Sequence, residues 1–179
     1  DITKFEEAMA KIKSTPAGIL GKKGEGDVVC LADTGAGACM GNKKKQFVPG
    51  SLYRSPCDVS GSLGVHATEY RGTLITIFET FGESEEHHGF AQQLTPHSIL
   101  NEECEFILIS LGSWSKLFGT AFELPAWGGD GTLSWPDGRR CRTINDDVVV
   151  LPLADRDEVA ATAAQVVPAG VKGVIQGKR

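Results

Sequence analysis

The residues of this chain best suited to chemistry are Asp33, Thr34 and Gly35, delivered by the apolar run Val28-Val29-Cys30-Leu31-Ala32. A carboxylate placed where a buried strand stops is costly unless it is paired or used. Thr34 can hydrogen-bond the backbone or a partner and so hold the turn rigid. Gly35 permits a close backbone approach where a side chain would obstruct. Two such carboxylates at hydrogen-bond distance cannot both ionise easily, so they share one proton. One can then take a proton from a bridging water while the other donates to a carbonyl oxygen, with no metal and no covalent intermediate. Only one Asp-Thr-Gly occurs in the chain. The pair therefore requires a homodimer, with Asp33 of each protomer at a twofold axis. The plainer reading of the same three residues is an Asx turn that ends a strand.

Other candidates for chemistry are weaker. The five cysteines, Cys30, Cys39, Cys57, Cys104 and Cys141, are odd in number and contain no C-x-x-C pair. They are expected to be reduced, mostly buried thiols, which points to an intracellular, cytoplasmic setting. His87 and His88 follow the acidic run Gly82-Glu83-Ser84-Glu85-Glu86 and are expected in solvent, because a metal site there lacks further ligands. No metal or other cofactor is expected. The net charge of −5 gives no electrostatic argument for nucleic acid or a lipid surface. Lys43-Lys44-Lys45 and Arg139-Arg140 are each expected to be a solvated turn. No apolar run approaches the length of a membrane span.

At 179 residues, 41% hydrophobic and 23% charged, the chain has room for one domain with a sizeable core. The elements that must position Asp33 read as mainly β. Residues 2–13 carry apolar positions at helical spacing, forming an N-terminal helical extension over 1–16. Residues 17–20 and 27–31 flank a Gly-rich turn and read as a hairpin whose second arm ends at Asp33. A second hairpin is expected over 57–81, with its tip at Ser60-Gly61-Ser62-Leu63-Gly64 and a strand over 73–78. Residues 105–109 form another apolar strand, followed by Ser110-Leu111-Gly112 and a short helical turn over 113–118 capped by Ser113. A third hairpin joins 132–135 to 141–144 across Pro136-Asp137-Gly138. The end of the chain, 145–179, reads as a strand–helix–strand extension, with strands at 148–151 and 171–175 and a helix over 155–167.

Leu31-Ala32-Asp33-Thr34-Gly35-Ala36 resembles the active-site signature of retropepsins, the aspartic proteases of retroviruses and retrotransposons. The run Phe106-Ile107-Leu108-Ile109-Ser110-Leu111-Gly112-Ser113-Trp114 is similar to the family's second landmark, an apolar strand ending in Leu-Gly before a short Trp-containing helix. The Pro136-Asp137-Gly138 hairpin is similar to one often found after it in gypsy-class elements. The likeness spans about residues 17–144. Departures are Ser110 in place of an apolar residue, a hairpin tip that is not strongly apolar, and a long polar stretch over 80–104.

The resemblance implies a closed β-barrel built from hairpins, with short helices, and an aspartic endopeptidase acting on an extended peptide or polyprotein segment. Asp33 would be catalytic, Thr34, Gly35 and Ala36 would form the active-site loop, and Ser60, Gly61, Ser62, Leu63 and Gly64 would form a substrate-binding flap. Ala36 in place of Ser removes one hydrogen bond to the carboxylates, which predicts activity in mildly acidic solution. Two other readings stand beside it. One is a non-catalytic peptide-binding module of the same fold. The other is a small α/β ligand-binding domain built on the C-terminal strand–helix–strand, which lacks a Gly-rich phosphate loop.

Overall fold

A computed structural model describes residues 29–61, 64–125, 129–145 and 148–153. The described residues are mainly β, in ten strands with one α-helix. The strands are β1 (Val29–Asp33), β2 (Met40–Gly41), β3 (Tyr53–Gly61), β4 (Gly64–Thr80), β5 (Gly89–Leu100), β6 (Phe106–Ser110), β7 (Ala121–Glu123), β8 (Gly131–Ser134), β9 (Arg140–Asn145) and β10 (Val149–Val150). The helix, α1, spans Leu111–Phe118.

They form one mixed sheet in the order β3-β4-β5-β2-β6-β1-β10-β9-β8-β7. At its centre β1 runs parallel to β6, from Val29 opposite Phe106 to Asp33 opposite Ser110. β2 lies antiparallel on the other side of β6, with Met40 opposite Leu108. The chain therefore leaves β1, passes over the end of β6 through residues 34–39, and comes down on its far side.

β1 and β6 read as continuous apolar runs because both faces of the sheet are covered there. Cys30, Ala32, Ile107 and Ile109 enter a core that also holds Trp114 and Trp135. Leu31 and Phe106, on the opposite face, join Met40, Ile99, Cys104 and Val150. In α1, Leu111, Trp114 and Phe118 are buried, an inward stripe at i, i+3 and i+7. Phe78 stacks on Trp135 at 4.9 Å, and Trp114 lies 5.8 Å from the same indole.

The sheet curls enough for Phe81 and Arg140 to exchange both backbone hydrogen bonds, at 2.8 and 2.9 Å. That isolated bridge is not extended into a ladder, so the sheet is open, where a closed barrel was expected. Arg139-Arg140 is not the solvated turn anticipated. Arg139 is 4% exposed, and the Arg140 guanidinium lies 4.9 Å over the Phe81 ring because the bridge draws the two residues together.

The hairpin across Pro136-Asp137-Gly138 forms as expected, with Ser134 opposite Arg140 and Gly138 at φ 93°. The second hairpin starts earlier than anticipated, at Tyr53, and its return strand β4 runs from Gly64 to Thr80 where only 73–78 was expected as strand. The strand expected at 148–151 supplies β10, which pairs with both β1 and β9. The first residues of the C-terminal extension thus share the core of the sheet. β5 was not anticipated. Its inward positions include Gln93, Thr95 and Ser98, all buried, so the stretch over 80–104 looked like polar loop. The helix expected at 2–13, the first hairpin arm at 17–20, the helix at 155–167 and the strand at 171–175 lie outside the described residues.

Gln93 and Thr95 are inside because the tryptophans need them. Trp135 Nε1 donates to Gln93 Oε1 at 3.1 Å, and Trp114 Nε1 donates to Thr95 Oγ1 at 3.0 Å. Gln93→Leu leaves a buried indole N–H without its acceptor and is expected to cost about 1–3 kcal/mol in urea unfolding. Adding Trp135→Phe removes the stranded donor, so the double variant should lose less than the sum of the single changes.

Candidate active site

Asp33 sits at the end of β1 after three buried residues, Cys30, Leu31 and Ala32, and is itself exposed. Its Oδ1 accepts the Gly35 N–H at 2.7 Å. A Cβ on residue 35 would stand 3.3 Å from that oxygen, so glycine lets the backbone come this close. Thr34, Gly35 and Gly37 are exposed and Ala36 is half-buried. The arrangement is an Asx turn, and it presents the carboxylate at the surface of the loop.

Ser110, the departure from the family pattern, anchors this loop. Its buried Oγ donates to Ala36 O at 2.6 Å and accepts the Ser113 N–H at 3.1 Å. Its backbone N–H reaches Cys39 Sγ at 3.3 Å. Ser113 Oγ adds a bond to Gly37 O at 3.3 Å. The cap of α1 is therefore Ser110, where Ser113 was expected, and the strand stops before Leu111-Gly112, which lie in the helix. The physical reason is register. Ser110 stands opposite Asp33, where one hydroxyl reaches both the helix N-terminus and the loop.

Above the loop lies a cleft of about 900 Å³. Asp33, Thr34, Gly35, Ala36 and Gly37 line one part of it. Its apolar floor is the second core face, including Leu31, Met40, Ile99, Phe106 and Leu108. The β3–β4 hairpin faces it with Ser60, Gly61 and Gly64, so these three expected flap residues share a cleft with Asp33. Ser62 and Leu63 lie outside the described residues.

The hairpin arms contribute residues that the sequence reading did not name. Gly61 pairs with Gly64, Val59 with His66 and Cys57 with Thr68. Residues directly opposite share a face, so Cys57, Val59, His66 and Thr68 lie together. Val59 and Cys57 pack against the apolar floor. His66 Nδ1 meets Asn101 Nδ2 at 3.1 Å, and Arg71, also in the cleft wall, donates to His97 O at 3.0 Å. Counting outward from the glycine-bounded tip would have paired His66 with Val59, but Asn101 is joined only by folding.

Among the described residues no three His, Cys, Asp or Glu side chains gather as a metal site. His88 is exposed as expected, whereas His87 is half-buried, with its Nδ1 buried. The cysteines are free, and only Cys57 is half-exposed. Burial pushes the thiols of Cys30, Cys104 and Cys141 up, and that of Cys39 up to about 11. The chain matches no known protein family, and no curated protein is significantly similar to it.

Two outcomes follow. Ser110→Ala removes the cap and the loop anchor together and is expected to cost about 1–3 kcal/mol by denaturant unfolding, more than Ser113→Ala. The thiolate is the species that alkylates. At pH 8 iodoacetamide should therefore label the native chain at Cys57 first, and all five cysteines only after denaturation, as read by mass spectrometry.

Proposed function

We propose that this chain is one half of an aspartic endopeptidase, with Asp33 of two protomers forming the acid–base pair across a twofold axis. The observation that carries the reading is the position of Asp33. It is exposed at the end of a buried strand, on a loop pinned from below by Ser110, and it borders a cleft that a β-hairpin covers. Exposure leaves the carboxylate accessible to a second copy. The pinned loop holds the backbone still while the proton moves.

In this reading the Asp33 pair shares one proton and titrates as a unit. One carboxylate takes a proton from the water as it attacks the scissile carbonyl carbon, and the other donates to the carbonyl oxygen. Thr34 holds the two loops to each other. The peptide lies extended between the apolar floor and the hairpin, whose backbone at Ser60, Gly61 and Gly64 binds it as an added strand. The substrate is a peptide or polyprotein segment with apolar side chains toward Leu31, Met40 and Ile99. The closed retropepsin barrel belongs to this proposal as well.

A second reading has a specific observation in its favour. The Asp33–Gly35 hydrogen bond is what an ordinary Asx turn makes, so the cleft would then bind a peptide without cutting it.

Asp33→Asn keeps the Oδ1 acceptor and removes the acid–base function. It is expected to lower peptide cleavage by about 1,000-fold or more without changing the unfolding midpoint. Wild-type activity should rise with the dimer fraction measured by sedimentation and peak in mildly acidic solution. A monomer with full activity, or a rate maximum in strong acid, contradicts the proposal. Equal peptide binding by both forms with no cleavage by either supports the second reading.

A further inference from the structure

One row of residues in register crosses the floor of the cleft. Arg71 stands opposite Ile99, Ile99 opposite Met40, Met40 opposite Leu108 and Leu108 opposite Leu31. Residues paired in this way share a face of the sheet, and all of them line the cleft. Ile99, Met40, Leu108 and Leu31 are apolar. Arg71, at the end of the row farthest from β1, is a permanent cation.

Among the described residues no carboxylate pairs with it. The ion pairs found there are made by Arg139 and Arg142. Of the two carboxylates that line the cleft, Asp58 is exposed and stands opposite Ala67, nearer the hairpin tip and about 13 Å along β4 from Arg71. Asp33 lies on β1, with β5, β2 and β6 between it and β4. Arg71 itself is half-buried. Its Nη1 donates to His97 O at 3.0 Å, and Nη2 has only a long contact, 3.9 Å, to Cys57 Sγ. Cys57 packs against the apolar cluster that floors the cleft, so this contact keeps the guanidinium on the cleft face. A guanidinium beside an apolar floor, with a carbonyl as its one close acceptor, keeps donors whose planar fork matches a carboxylate.

We propose that Arg71 makes its end of the cleft a subsite for a carboxylate side chain, so that the peptide taken there carries a Glu or Asp beside its apolar stretch. The inference rests on the peptide cleft of the proposed function and names its substrate class. The path along the row from Arg71 to Leu31, and on to Asp33, is at most about 20 Å, or about six residues of extended chain. The acidic residue therefore lies within that reach of the scissile bond. Asp58 repels a second acidic residue near the tip, which fixes the direction in which the peptide lies.

The test uses the whole chain and a set of neutral, apolar peptides in which one Glu is moved along the sequence, each with its Gln counterpart. Cleavage is followed with the wild type and binding with Asp33→Asn. At one register Glu should be preferred over Gln by about 10–100-fold, in KM and in Kd more than in kcat. Arg71→Gln should abolish that ratio, and Arg71→Glu should move the preference to Lys at the same register. Cleavage with no preference for Glu at any register, or a preference that survives Arg71→Gln, overturns the subsite and leaves the peptidase standing. Arg71-dependent binding of the Glu peptide without cleavage of any peptide overturns the peptidase and leaves the subsite standing. Should Arg71→Gln fail to fold, Arg71→Lys carries the test, because it keeps the charge and loses the fork. The preference for Glu should then narrow, and an unchanged ratio overturns the proposal.

Discussion

The parallel pairing of β1 with β6 is the constraint on which the rest of the structure depends. Parallel neighbours cannot be joined by a tight turn, and here the intervening chain supplies β2, β3, β4 and β5 before β6 arrives. Inserting β6 between β1 and β2 forces residues 34–39 to arch over its end. That arch carries Thr34 and Gly35 and begins at Asp33, the last residue of β1. Had β1 and β2 paired directly, the same residues would form an ordinary hairpin turn with no cleft before them.

An arch of this kind needs fastening, and polar groups provide it from beneath. The Ser110 hydroxyl serves the helix and the loop at once, and the thiol of Cys39 receives the Ser110 N–H. A buried hydroxyl with both its donor and acceptor capacity used is inexpensive to bury. The same economy recurs deeper in the core, where Gln93 and Thr95 meet two indole N–H groups. These contacts fix the height of α1 over the sheet and hold Trp135 of the β8–β9 hairpin against β5, because each indole must reach one acceptor on β5.

The two faces of the central strands then take different tasks. One is sealed by α1 and the aromatic cluster and contributes stability. The other is roofed in part by the β3–β4 hairpin, which leaves an apolar-floored cleft reaching Asp33. Among the described residues the hairpin is secured at its base, where β4 pairs along β5, and near its tip it has no ladder partner beyond its own two strands. The proposed peptidase activity would draw on that combination of a pinned loop below and a hairpin above.

Local patterns in the sequence were enough for several elements. The apolar run into Asp33, the strand before Ser110 and the Pro136-Asp137-Gly138 turn each follow from hydrophobic periodicity or turn chemistry within a few residues. Gly61 and Gly64 marked the hairpin tip in the same way. What the sequence could not disclose was the interior role of polar residues. Gln93, Thr95 and Arg139 are typed as surface residues, and each is buried because a distant partner or a backbone bridge holds it there, whereas Ser110 stands where the sequence pattern already set a hydroxyl near the core. The openness of the sheet, the joining of His66 to Asn101 and the cleft itself likewise arise from contacts between residues far apart in the chain. By itself the sequence determined the strand into Asp33, the strand before Ser110 and the Pro136-Asp137-Gly138 turn, since those depend on neighbours along the chain, whereas β5 (Gly89–Leu100) was hidden by its polar inward residues. Tertiary structure alone decided which polar groups go inside, because their burial is favourable only once a complementary group from another strand has arrived.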